Sequence, residues 1–535
     1  MSTPKSPSNA KTYGDKHHEE HEYWSRRNFL KNLGFLGAGS MMLGKLPVSA
    51  LMASPLTNSL NESSADRVLV LIRLQGGNDG LNTVIPTYDY STYRNLRPMI
   101  AIPESQVLQW SDALGVHPAL EPLYPLWQNG GMKILNNVGY PEQNLSHFRS
   151  SDIWATSSEA NIELDRGWLG RYFDEILPNF IEQPPAIPPA IQIGGSGDLL
   201  FAGMDDINYA VSVPSPEQLN AIAAQGQLYN VNDVPACLYG SQLSYLRNIT
   251  NNTFKYASVI SNAFESGQNT INYQGTLGRQ LGTIARLIKG NLGTKLYVVT
   301  LNGFDTHANQ LNNHQRLLND LATSVASFYQ DLAASGLADK VLSLTFSEFG
   351  RRPNQNSSQG TDHGAAAPIL IFGPSLSSNG FMGPPPRLRQ LDDNGNLLHD
   401  LDFRSVYATV LEKWLCIDPS LTDTVIGNVM PRVDLGFDCI TTSQIDYTFQ
   451  QSLTHQARYL TDGTPLLFIQ PISTAPIEVT LWNAMGQLMG TLGHFQGSKE
   501  VIQVPIPMHL TTISGYYFYR IKTEGRVYSG KVLIK

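Results

Sequence analysis

Apolar runs without polar alternation recur along the chain: VLVLIRL (Val68 to Leu74), LYVVTL (Leu296 to Leu301), VLSLTF (Val341 to Phe346) and PILIFG (Pro368 to Gly373). Leucine and β-branched runs of this kind predict strands buried on both faces, as in a parallel sheet covered by helices. After His307, Leu317, Leu321, Val325, Phe328 and Leu332 recur at spacings of three and four, predicting one apolar helical stripe that ends near Gly336. Strand, helix and strand make a βαβ unit with a right-handed crossover. The expected architecture is α/β, a doubly wound and mostly parallel sheet.

From Pro476 the pattern changes to period-two alternation, with turn signals at Met485-Gly486, Ser514-Gly515 and Glu524-Gly525. A small C-terminal antiparallel β-sandwich over 459–535 is expected, after an α/β domain over 67–440. With 535 residues and 41% apolar composition, the chain can bury a core of that size.

Charge narrows the partners. A formal charge of −8, with no basic cluster outside the N-terminus, argues against nucleic acid. Ser25-Arg26-Arg27-Asn28-Phe29-Leu30-Lys31 is a full twin-arginine export motif, followed by the weakly apolar LGFLGAGSMMLG and a small-residue cleavage candidate at Val48-Ser49-Ala50. Residues 1–53 therefore read as a signal peptide for the twin-arginine translocase, and an uncleaved anchor is the other reading. His17, His18 and His21 precede the arginines and would be lost on cleavage. Three cysteines do not form a disulfide framework; Cys416 and Cys439 could pair, leaving Cys237 over.

Acidic residues and histidines gather just past the strand runs, where α/β sheets bind ligands. Asp79 lies in Gly76-Gly77-Asn78-Asp79-Gly80, Asp305 and His307 in Asn302-Gly303-Phe304-Asp305-Thr306-His307, and Glu348, Arg351, Asp362 and His363 between the last two strands. This predicts one metal site assembled from distant segments. Each residue also has a plainer reading: Asp79 as a turn former, His307 and His363 as hydrogen-bonded loop histidines, Glu348 as the ion-pair partner of Arg351 or Arg352.

Five segments, LQGGNDGLNTVIP, NLSHFRSSDIWAT, NGFDTHANQ, TFSEFGRR and GTDHGAAAP, occur in order between about Arg67 and about Leu435. Together they resemble the secreted family called domain of unknown function 1501, a distant branch of the alkaline-phosphatase and sulfatase superfamily. The resemblance implies an alkaline-phosphatase-like fold, with Asp79, Asp305, His307, Glu348, Asp362 and His363 as the metal residues. Glu348 matches the aspartate of the superfamily's Ser-Asp-His-Gly, the alignment the flanking strands favour, and a second alignment takes Asp362-His363-Gly364 as the Asp-His-Gly itself. His314 rivals His307, because the Asp-to-His spacing here is two where four is usual. Phe349 stands where a histidine is expected. That departure implies a single ion or an oxygen-rich set for a divalent ion, Ca²⁺, Mg²⁺ or Mn²⁺, in place of the nitrogen-rich pair that Zn²⁺ prefers.

The superfamily's nucleophile sits at a helix N-terminus near the first aspartate. Ser146 heads a helical segment and takes that role, with Arg149 as an oxyanion clamp; capping is the alternative for Ser146. No Cys-x-Pro-x-Arg is present, which argues against a formylglycine sulfatase. The implied activity is metal-dependent hydrolysis of phosphate or sulfate esters. The alternative is a non-catalytic surface protein binding an anionic glycan or a partner.

Asn483 to Gly486, Gly515-Tyr516-Tyr517 and Lys531 to Lys535 resemble the C-terminal sorting domain of the type IX secretion system of Bacteroidetes. That resemblance implies passage through the periplasm to the cell surface or the medium. The alternative is a generic carbohydrate-binding or adhesive module.

Overall fold

The computed structural model describes residues 40–43, 46–49 and 66–439, with breaks at 179, 181–183, 196–197, 205–206, 214–228, 231–232, 235–237 and 377–378. It also describes 454–534, with breaks at 460–464, 472–473, 484–487, 499–500, 512–514 and 524–525. The twin-arginine motif, His17, His18, His21 and Cys237 lie outside the described residues. The chain divides into two compact units, Met1–Ile440 and Thr441–Lys535.

The first unit is built on a nine-stranded sheet. The elements needed here are β1 (Val68–Gln75), β2 (Met132–Gly139), β3 (Ala190–Ile193), β4 (Ala210–Ser212), β5 (Leu296–Asn302) and β6 (Val341–Phe346). Beyond them lie β7 (Gly350–Gln355), β8 (Thr361–Gly364), β9 (Ala367–Phe372), β10 (Gly380–Met382) and β11 (Leu401–Asp402). Three helices matter to the site: α1 (His147–Thr156), α2 (Gly275–Lys289) and α3 (Gln310–Ala333).

The order across the sheet is β10-β2-β9-β6-β1-β5-β3-β4, with β11 also on β2. Every pairing is parallel except those of β9, which runs against both β6 and β2. The sheet is therefore mixed and mostly parallel. β1, β5 and β6 are buried along nearly their whole length, which explains their unbroken apolar sequences. The stripe Leu317, Leu321, Val325, Phe328 and Leu332 faces the core from α3. The β5-α3-β6 crossover spans one strand, because β1 lies between β5 and β6.

The segment after β6 is more ordered than a loop between two apolar runs would be. β7 and β8 pair as an antiparallel hairpin, with its register broken between Arg351 and Gln355. Pro353 sits in that break, where its missing N–H leaves no ladder bond unmade.

A disulfide joins Cys416 to Cys439, with Cα atoms 5.4 Å apart. Among the described residues no helix is long and apolar enough to cross a membrane.

Among its described residues the second unit holds two antiparallel sheets. One pairs Thr454–Tyr459 with Pro465–Gln470 and that strand with Ile502–Pro505. The other runs Leu488–Gln496, Pro476–Asn483, Gly515–Thr523, Arg526–Ile534. Alternate residues such as Ile477, Val479, Leu481, Tyr519 and Ile521 enter its core, as period-two patterning requires.

Candidate metal centre

β1, β5 and β6 are adjacent and parallel, so the chain leaves all three at one sheet edge. The turn after β1 fits there only as glycine. Gly76 and Gly77 have φ of +122° and +83°, and a Cβ on either would strike the backbone around Asp305 or the Phe349 ring. This close approach draws the post-β5 loop and the β7–β8 hairpin onto the turn.

Asp305 is the centre of the cluster. Its Oδ1 lies 3.4 Å from His147 Nε2, 3.1 Å from His307 Nε2 and 3.3 Å from His363 Nε2. Ligand atoms of His147, Asp305 and His363 all fall within 4.8 Å of one another. The fully buried Arg351 donates to the same Asp305 oxygen at 2.6 Å, and its other N–H groups donate to the carbonyls of Gly76, Gly77, Phe304 and Thr361. Burial by itself would raise the Asp305 carboxyl, but the hydrogen bond and charge of Arg351 outweigh it and hold the pKa below the usual range.

The far nitrogens of the imidazoles are equally constrained. His147 Nδ1 is 3.0 Å from Glu348 Oε1, which also accepts the Gly76 N–H at 2.9 Å. His363 Nδ1 is 2.8 Å from the Leu145 carbonyl, and His307 Nδ1 is 3.5 Å from Asp362 Oδ1. Carbonyl and carboxylate oxygens only accept, so the protons of His147 and His363 belong on Nδ1. Burial, with the charge of Arg351 adding to it, pushes His363 below its ordinary value despite the Leu145 bond and keeps it neutral. The Nε2 atoms of the three rings converge on the Asp305 carboxylate, with those of His307 and His363 within hydrogen-bond reach of each other at 2.9 Å. A cation among them would take these nitrogens as ligands in place of that contact.

Three imidazoles and one carboxylate, each ring fixed from behind by an oxygen acceptor, fit Zn²⁺ or another ion that favours nitrogen. This differs from the oxygen-rich set expected from the Phe349 departure. Glu348 stands one step back, holding a ligand. Phe349 is buried, with its ring centroid 4.8 Å from that of His147 and 4.4 Å from that of His363, so it backs the imidazoles.

The other expected residues are placed as follows. Asp79 is in the interior, paired with Arg97 at 2.6 Å and capping the turn Gly80–Thr83. His314 is buried on α3 against Asn78. Asp362 is exposed and accepts from Asn356 Nδ2 at 3.1 Å. Ser146 is the exposed N-cap residue of α1 and makes no side-chain capping bond. Arg149 donates to the carbonyls of Glu159, Ala160 and Ile162, which commits its guanidinium to a loop.

His147 joins this candidate cluster without having been expected from the sequence. It directly follows Ser146 inside the NLSHFR segment, and a histidine opening a helix just past a buried strand was the available signal.

The family described as Protein of unknown function (DUF1501) matches residues 265–436. No protein of curated function matches this chain in sequence. Among solved structures, the chain is similar to a protein in the alkaline phosphatase superfamily from Vibrio parahaemolyticus (9% identity, 86% of this chain and 85% of that one, TM-score 0.29). It is also similar to the lipoteichoic acid synthase from Listeria monocytogenes (8% identity, 72% and 82%, TM-score 0.29). A third is the alkaline phosphatase from the Antarctic bacterium TAB5 (10% identity, 62% and 95%, TM-score 0.26).

Proposed function

We propose that this chain is an exported metal-dependent hydrolase of phosphate or sulfate esters. The observation that carries the reading is the convergence of the His147, His307 and His363 Nε2 atoms on Asp305, two of the rings having their Nδ1 protons committed elsewhere. These four residues would hold one divalent ion. When bound, it would supply Lewis acidity toward an ester oxygen or an attacking water.

Ser146 is the nucleophile in this reading. Its hydroxyl is exposed, and the unpaired N–H groups of the first α1 turn lie where negative charge on a bound ester is stabilised. Arg351 positions Asp305, and Glu348 orients His147. Export rests on the twin-arginine motif and the sorting-domain resemblance, with the translocase and the type IX machinery as partners. The Cys416–Cys439 disulfide suits an oxidising destination.

One observation favours a non-catalytic protein that binds an anionic glycan or a partner. Both Arg149 and Arg351 are committed to protein oxygens, so neither clamps an oxyanion in this geometry.

The deciding experiment measures metal by mass spectrometry on the chain from about Ala53 to Lys535, wild type beside His147→Ala and His363→Ala, and assays nitrophenyl phosphates and sulfate. One ion per chain, lost in both variants, with an ester hydrolysed by wild type and not by Ser146→Ala, is the expected result. No metal after purification with Zn²⁺, Mn²⁺ or Ca²⁺ sinks the hydrolase. Metal without turnover favours the binding protein.

A further inference from the structure

One face of the sheet changes character along its length. In register across β1, β5 and β3, Leu69, Leu296 and Ala190 form one row, and Leu71, Val298 and Gln192 the next. Arg73 then pairs with Thr300, and Gln75 with Asn302. Side chains two residues apart share a face, so an apolar surface becomes polar over the carboxyl ends of these strands. Gln192 and Thr300 are buried on this face, while Gln75 and Asn302 at its end are exposed.

Above that polar face is a cavity of about 310 Å³, walled by these side chains and by Ser151 and Asp152 of α1. It adjoins the metal centre. Ser151 is one turn beyond His147 on α1, about 6 Å along the axis, and with Arg73 and Glu348 it lines a small neighbouring void.

The charges in the cavity select against anions. Arg73 is tied to Asp198 at 3.2 Å and to Ser151 Oγ at 2.9 Å, and Asp152 adds a second carboxylate. What it offers a ligand is the exposed carboxamides of Gln75 and Asn302, side by side, with carboxylate and hydroxyl oxygens around them. Carboxamides both donate to and accept from hydroxyl groups, and carboxylates accept from them, so a neutral polyhydroxylated group can satisfy both.

We infer that this cavity is the subsite for an uncharged polyhydroxylated group, a sugar ring or a polyol, belonging to an ester whose anionic end meets the metal centre. The inference rests on the hydrolase reading for the role of that group. The binding itself can be tested apart from catalysis.

The test is saturation-transfer NMR and titration of the exported chain with glucose, galactose, mannose and glycerol, and separately with inorganic phosphate. Wild type is compared with Asn302→Ala, Gln75→Ala and His363→Ala. Both cavity positions are exposed at strand ends, and Gln75→Ala keeps the test open if Asn302→Ala fails to fold. At least one neutral compound should bind, about five- to tenfold more weakly in each cavity variant, the worth of one neutral hydrogen bond, and equally well in His363→Ala. Absence of neutral binding, or wild-type affinity in both cavity variants, overturns the inference. Sugar binding through the cavity in a protein that hydrolyses no ester supports the subsite and sinks the hydrolase reading. Hydrolysis without sugar binding does the reverse.

Discussion

Asp79 Oδ2 lies 2.6 Å from Arg97 Nη1, and both side chains are wholly withdrawn from solvent. Arg97 also donates to the Arg352 and Pro353 carbonyls and to Asn82, so this pair fastens the β7 end of the hairpin to the turn after β1. Burial would raise the Asp79 carboxyl, but the charge and hydrogen bond of Arg97 outweigh it and hold the pKa below the ordinary range. Asp79→Asn leaves a buried guanidinium without its counter-charge. We expect it to destabilise the first unit by about 3–5 kcal/mol, measured by urea unfolding, while any folded fraction retains its metal. A stable Asp79→Asn protein that has lost its metal would return Asp79 to the ligand set.

Glu348 touches the centre only through His147 Nδ1, so its loss should weaken the metal without removing a ligand. Glu348→Gln keeps the shape and one acceptor oxygen but gives up the charge that makes His147 a better donor. Metal affinity is expected to fall about 10- to 100-fold, read by chelator competition, with stoichiometry restored at high metal. An unchanged affinity would mean that His147 is not a ligand.

How far this arrangement could be read in advance depends on where each contact originates. β1, β5 and β6 were legible because burial on both faces forces unbroken apolar runs, and α3 because only one of its faces is buried. Asp305 and His307 were legible as residues just past a strand end, and His363 as a histidine between two apolar runs. Asp79 obeys the same rule, yet its side chain turns inward because Arg97 waits there, and no local pattern announces that partner. His147 was missed for the converse reason: its ring is aimed by Glu348, far along the chain. The hairpin β7–β8 carries no apolar alternation at Arg351, Arg352 and Pro353. It is held by the Arg351 guanidinium threading between backbone carbonyls, a tertiary effect.

Two buried histidines outside the cluster predict acid sensitivity. Burial, with a contribution from His314, pushes His117 down to about 3. Burial also takes His314 to about 4, against the favourable pull of Asp79 and helped by Arg97 and Arg351. His117 Nδ1 accepts the Ala119 N–H at 3.0 Å, and His314 Nδ1 is buried without a partner among the described residues. Both bind protons more readily when unfolded, where the pKa is about 6.5. Their stabilisation is therefore complete above pH 6.5 and is lost as pH falls toward 4 and then 3. Each contributes a slope of up to about 1.4 kcal/mol per pH unit. Urea midpoints from pH 7 to 4 should fall steeply in wild type and less steeply in His117→Gln or His314→Gln. His363, lowered in the same direction, leaves a residual slope. Parallel profiles for all three proteins would show that neither histidine titrates in this way.

The Cys416–Cys439 bridge offers a final prediction, because it closes the segment that anchors the start of the sheet. Arg67, just before β1, donates to the Lys413, Trp414 and Asp438 carbonyls, with its guanidinium 4.7 Å from the Trp414 ring centre. Trp414 in turn donates its indole N–H to the Val68 carbonyl at 3.0 Å. The disulfide joins positions 23 apart in sequence around these contacts, so in the unfolded chain it removes the entropy of a loop of that length. Opening it should destabilise the first unit by about 3 kcal/mol in the chain-entropy picture. The check is urea unfolding of wild type with and without reductant, beside Cys416→Ser. Reduced wild type and the variant should share one lowered midpoint, and the oxidised protein should stand above both. The proposed metal centre takes none of its candidate ligands from this segment, so metal content below the transition should be the same in all three. If reduction leaves the midpoint where it was, Arg67 and Trp414 hold this end of the unit without the bridge.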